Sequence, residues 1–174
     1  MNKRFIILIL ILSAFFALSA CSGSAAPEPE EAFQPDTADD FALEDLDGYL
    51  VSVSDFRGSI VVLNFWASWC PPCRQEMPDL NELDLEFKER GEVVLLTVNL
   101  TDGQRETRET ARSYIEENGF GFTVLFDDRG VLANEYGIAA IPQTFILDRD
   151  GQISGAIIGA TTSAAILEKI DAVK

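Results

Sequence analysis

Histidine is absent from all 174 residues. With it go the most common metal ligand and the most common general base near neutral pH, so Ser-His-Asp and Cys-His catalysis are excluded. Cysteine is scarce: of three, only two lie close together, too few for a closed tetrahedral metal site without histidine. Positive charge is scarce as well. Thirteen lysines and arginines stand against 29 acids, a net charge of −16. That balance argues against nucleic acid, whose phosphates require a basic footprint, and against electrostatic docking on anionic lipid. Long apolar runs are missing too. Phe5 to Leu18 covers 14 residues, short of the roughly 20 that cross a bilayer as a stable helix.

What is present divides the chain in three. Residues 1–20 carry a basic start at Lys3 and Arg4, the apolar run, and then small residues, the pattern of a secretory signal; the alternative is an uncleaved membrane anchor. Leu18-Ser19-Ala20-Cys21 resembles the lipobox of bacterial lipoproteins. That resemblance implies cleavage before Cys21, lipidation of its sulfur, and an extracytoplasmic domain anchored to the bacterial membrane. Residues 21–38 are rich in Ser, Ala, Pro and acids, and from Cys21 to Asp47 there are nine acids and no base. Such a stretch reads as a disordered, extended tether. Residues 39–174 read as the folded domain.

Within that domain the apolar pattern changes period several times. Two short stretches around Asp47-Gly48 predict a hairpin. Ile60 to Ala67 and Val93 to Leu100 are nearly continuous apolar runs, as in strands buried on both faces. Between them Pro71 to Arg90 predicts a helix stopped by Gly91 and bent at Pro78. A polar helix is expected from Arg105 to Asn118, a strand over 123–126, a short helix over 131–136, a hairpin across Arg149-Asp150-Gly151, and a closing helix over 162–172 capped by Thr161 or Thr162. The order is that of an α/β domain, and no repeat is visible.

The chemistry concentrates in "WASWCPPCRQEMP", 66–78. Cys70 follows the buried strand and precedes the helix, where free N–H groups and the helix dipole favour thiolate. A Cys-x-x-Cys pair in that setting is a redox motif; as a staple, a two-residue loop would contribute little. Pro71 disfavours a helical Cys70, which should therefore be the cap. Pro71 and Pro72 also lack N–H groups, leaving the Cys73 amide as the main donor to a Cys70 thiolate. Weak thiolate stabilisation corresponds to a reducing couple.

"VVLNFWASWCPPCRQEMPDL" and "YGIAAIPQTFILDRDGQI" together resemble the TlpA/ResA-type extracytoplasmic thiol–disulfide oxidoreductases of the thioredoxin superfamily. The resemblance implies a thioredoxin-like fold: a central mixed β-sheet flanked by helices, with an N-terminal hairpin and an inserted strand–helix element around 105–118. It implies Cys70 as nucleophile and Cys73 as resolving thiol, joined in a redox-active disulfide with no other cofactor and no metal. Trp69, Pro71 and Pro72 would flank the substrate, and Ile141-Pro142 would be a cis bond against the disulfide, the alternative being an ordinary trans turn.

Glu76, three residues after Cys73, would be a functional acid, or else an exposed acid favoured by the helix dipole. Asn64 departs from the buried aspartate of thioredoxins, which shifts the proton-accepting role toward Glu76. The implied partners are protein thiols and disulfides, apocytochrome c among them, and a membrane thiol electron donor, with the protein a monomer; general disulfide repair, or an oxidase role, is the alternative to reducing apocytochrome c. A thiol peroxidase of the same fold is disfavoured because Ala67-Ser68-Trp69-Cys70 lacks the Thr-x-x-Cys setting. A copper carrier would lack its histidine. An inert binding module remains the non-enzymatic alternative.

Overall fold

Seven strands and four helices account for most of residues 40–173, the part of the chain described in this computed structural model. The signal, the lipobox and the tether expected from the sequence lie outside those residues. In chain order the strands are β1 (Ala42–Asp45), β2 (Leu50–Ser52), β3 (Ile60–Trp66), β4 (Val93–Thr101), β5 (Thr123–Asp128), β6 (Gln143–Leu147) and β7 (Ile153–Ile158). The helices are α1 (Pro71–Arg90), α2 (Arg108–Asn118), α3 (Val131–Glu135) and α4 (Ser163–Asp171). The sheet order is β2-β1-β5-β4-β3-β6-β7. β3, β4 and β5 are mutually parallel, and the remaining pairings are antiparallel.

The expectation that β3 is buried on both faces holds at all seven positions. Successive side chains point to opposite faces, so the two halves of β3 enter two different cores. Ile60, Val62 and Trp66 pack with Met77, Leu80 and Phe87 of α1, Ala111 and Ile115 of α2, and Ile166 and Ile170 of α4. Val61, Leu63 and Phe65 pack with Leu132 of α3, Tyr136 and Phe145. Each aliphatic side chain buried this way contributes about 1.5–3 kcal/mol. Asn64 falls in the even-numbered set and therefore faces α1, a polar atom group placed inside an apolar layer.

α1 runs unbroken through Pro78 and ends where Gly91 adopts φ 72°, a left-handed turn that glycine takes without a Cβ clash. The inserted element begins later than its polarity suggests. The helix starts at Arg108 because Thr107 caps it, accepting from the Thr110 N–H. Residues 102–106 instead form a loop closed on Asp102, whose Oδ1 accepts from the N–H groups of Gln104, Arg105 and Glu106 at 2.8, 2.7 and 2.9 Å. For the closing helix the cap is Thr162, not Thr161.

Candidate active site

The end of β3 and the start of α1 meet at Cys70, whose φ of −86° and ψ of 109° are those of a non-helical cap. Its sulfur accepts from the Cys73 N–H at 3.2 Å, the one donor that the two prolines leave in place. Cys70 and Cys73 are joined, with an S–S distance of 2.09 Å. Both residues are buried, Cys70 at 2% and Cys73 at 0% exposure. Pro71 is exposed beside Cys70, and Pro72 and Trp69 are half-buried. The Ile141-Pro142 bond is cis, as expected, and the Ile141 carbonyl oxygen lies 3.7 Å from the Cys70 sulfur. β6 leads straight out of this bond and pairs with β3, which is how residues 71 positions apart come together.

Glu76 is not an exposed acid. One turn beyond Cys73, on the same helix face, it is buried at 3% exposure. Its Oε1 accepts from Asn64 Nδ2 at 2.8 Å and its Oε2 from the Thr161 N–H at 2.8 Å. Burial raises its affinity for a proton above that of an ordinary carboxyl, and the bonds from Thr161 and Asn64 offset part of that rise. Asn64 also donates to Thr144 Oγ1 at 3.0 Å, so its amide is the hub between α1 and β6. The residue that departs from thioredoxins is therefore the one that fixes the acid. Trp66, at 0% exposure, belongs to the core.

Two side chains that hold the residues just before Cys70 are not legible in the sequence. Glu106, at 0% exposure, reaches from the loop after β4 and accepts from the Ser68 N–H and hydroxyl at 2.9 and 2.6 Å. The Arg105 guanidinium lies 3.6 Å from the centre of the Trp69 ring. Both sit in a polar segment that reads as the start of a surface helix. The Asp102-x-x-x-Glu106 spacing contains the turn that carries them, but not its destination.

A joined cysteine pair at a helix N-terminus, a cis-proline against it and a buried carboxylate one turn below define a thioredoxin-like thiol–disulfide oxidoreductase. The chain belongs to the AhpC/TSA family, which matches residues 35–156. Over 138 residues it is 36% identical to the thiol-disulfide oxidoreductase ResA of Geobacillus thermodenitrificans, covering 79% of this chain and 76% of that one. StoA from Bacillus subtilis superposes with a TM-score of 0.68 at 30% identity, covering 78% of this chain and 99% of that one. The exposed lipoprotein thioredoxin Etrx1 from Streptococcus pneumoniae gives 0.66 at 32% identity, covering 77% and 99%. Among the described residues no cluster of acids and cysteines suited to a metal is found, and no helix is long and apolar enough to cross a membrane.

Proposed function

We propose that the protein is a membrane-tethered reductant of protein disulfides outside the cytoplasm. In its dithiol form the Cys70 thiolate attacks one sulfur of a partner disulfide. A Cys70–partner bond forms, the partner's S–S bond breaks, and the second partner sulfur leaves as thiolate. Glu76 takes the proton of Cys73. The Cys73 thiolate then attacks the Cys70 sulfur, closing the disulfide and expelling the partner as a dithiol once it picks up protons. Two electrons pass from the cysteine pair to the partner. Trp69, Pro71, Pro72 and Ile141 would form the rim on which the partner's extended chain lies, with the buried Pro142 beneath it.

The observation that carries this reading is the buried Glu76, one turn from Cys73 and with its proton affinity raised by burial. A carboxylate of raised affinity is the better base for a thiol proton, and no histidine exists to compete. Lipidation at Cys21, a tether over 21–38 and a signal over 1–20 rest on the lipobox and on the likeness to a lipoprotein thioredoxin. An apocytochrome c haem-site disulfide as substrate, a membrane thiol donor that restores the dithiol, and action as a monomer complete the proposal.

Titration of the Cys70–Cys73 couple in thiol–disulfide buffers tests the direction of electron flow. A potential of about −270 mV or lower is expected, and about −120 mV would make the protein an oxidase instead. Glu76→Gln should leave the first attack intact and slow release of a trapped mixed disulfide by about 100-fold or more; equal slowing of both steps would remove Glu76 from the role.

A further inference from the structure

The exchange chemistry leaves unused one buried carboxylate bonded to the turn that leads into Cys70. Glu106 is fully enclosed. Besides its two bonds from Ser68 at 2.9 and 2.6 Å, its Oε1 accepts from Asn99 Nδ2 at 2.7 Å. Three donors and nothing donated is the pattern of an anion. The surroundings deliver it there: Asp102 closes the loop, the Gly103 N–H donates to the Glu106 carbonyl at 2.9 Å, and Asn99 stands opposite Trp66 in the β3–β4 register.

Ser68 precedes Cys70 by two residues, and the Cys70 N–H closes the turn onto the Ala67 carbonyl at 3.1 Å. Whatever holds Ser68 therefore sets the direction in which Cys70 leaves the strand. A neutral side chain could brace Ser68 equally well, and enclosing a carboxylate is costly, so the charge itself calls for an account. The Ser68 amide and the Cys70 sulfur are separated by two residues of chain, which puts carboxylate and sulfur on the order of 10 Å apart.

We propose that Glu106 is a positioning residue for Cys70: its hydrogen bonds fix the turn from Ala67 to Cys70, and its buried charge disfavours thiolate at Cys70, holding the couple on the reducing side. The inference rests on Cys70 being the attacking sulfur. Other charges stand around the turn. Arg105 lies over Trp69 and Asp102 closes the loop, both facing solvent; Arg74 is exposed in the first turn of α1; from α2 the exposed Glu109 and Glu117 and the half-buried Tyr114 line one groove with Ser68 and Arg74; Glu76 lies further along α1, bonded to Asn64 and Thr161. From the β6 side the turn meets Ile141 and Pro142, which are uncharged. Water screens the exposed groups, and Glu106 has no such screening.

The test is Glu106→Gln. Its amide oxygen can accept from the Ser68 N–H and Asn99, and its NH2 can donate to the Ser68 hydroxyl, so the brace survives and the charge is lost. The rate of iodoacetamide alkylation of the dithiol form is followed against pH, with the modified cysteine located by mass spectrometry. A unit charge at that distance and an effective dielectric of about 20 moves a thiol's titration by about one pH unit. The Cys70 thiolate fraction at pH 7 should therefore rise about threefold or more. A folded variant whose profile superimposes on the parent's overturns the proposal.

Should the glutamine variant not fold, Ser68→Ala carries the test. It removes the hydroxyl bond, the shorter of the two at 2.6 Å, while keeping the Ser68 N–H bond and the charge, and must slow attack of fully ionised Cys70 on a small disulfide by about threefold; an unchanged rate overturns the positioning role. Alkylation at Cys73 in the parent would instead overturn the assignment of Cys70 as the attacking sulfur, and this inference with it.

Discussion

Exchanging Asn64 for aspartate would set a second carboxyl against Glu76 inside the core, where the two side chains now meet at 2.8 Å. Two carboxylates at that separation cannot both ionise, so the pair retains a proton. On the acid side the introduced carboxyl donates to Glu76 much as the amide does. The cost there is that of one altered hydrogen bond, about 1–2 kcal/mol. In the unfolded chain the same aspartate titrates near 4. Above that pH the native state binds one proton more than the unfolded state, so stability falls as pH rises, by about 1.4 kcal/mol per pH unit. Between pH 5 and pH 8 the variant should lose up to about 4 kcal/mol relative to the parent, a large share of the roughly 5–15 kcal/mol that holds a domain together. Glu76 itself has a raised proton affinity from burial, so the parent also loses stability as pH rises through that titration, and the gap between variant and parent opens as the parent's Glu76 ionises while the variant's pair keeps its proton. Urea unfolding of the disulfide form at the two pH values is the assay. A gap between variant and parent that is the same at pH 5 and pH 8 would refute the reasoning, because it would mean that the two carboxyls do not share a proton in the folded protein.

Other perturbations reach different parts of the scaffold. Asp127 accepts from the N–H groups of Leu132 and Ala133 at 3.0 and 2.8 Å; Asp127→Ala strands both and should cost about 2–3 kcal/mol in urea unfolding, a loss under 0.5 kcal/mol counting against the cap. Thr162→Ala removes the acceptor for the Ala165 N–H at the start of α4 and should cost about 1 kcal/mol, with the cysteine potential unchanged. Arg108 bridges Glu44 of β1 and Asp128 of β5, each at 2.5 Å, with its side chain 35% exposed. Solvent screening limits Arg108→Ala to less than about 1 kcal/mol, and the difference should vanish in 1 M salt; persistence there would point to the guanidinium over the Phe126 ring, 5.0 Å from its centre.

The cysteine pair, its place as a helix cap and the cost of its two prolines were legible because each follows from residues within one turn of chain. Strand burial was legible for the same kind of reason: seven apolar or isosteric residues in a row leave β3 no solvent face. The inserted helix was misjudged by three residues, since Asp102 competes for backbone N–H groups that polarity alone assigns to the helix. Glu76 was readable as an acid on the cysteine face, either partly buried or exposed, but the partners that enclose it were not. Nothing in its own helix announces Thr161, 85 residues further on.

The sequence by itself determined the redox chemistry, the α/β order and the residues available for it, because those depend on side-chain type and on contacts a few residues long. Tertiary structure alone decided which carboxylates are buried around the cysteine turn and what they bond. Glu76 meets Asn64 because the alternation of β3 turns its even positions toward α1, and it meets Thr161 because α4 packs on the same layer. Glu106 meets Ser68 because the end of β4 lies beside the end of β3 in parallel register. Such partners are chosen by strand register and layer packing, which bring together positions whose distance along the chain says nothing of their distance in space.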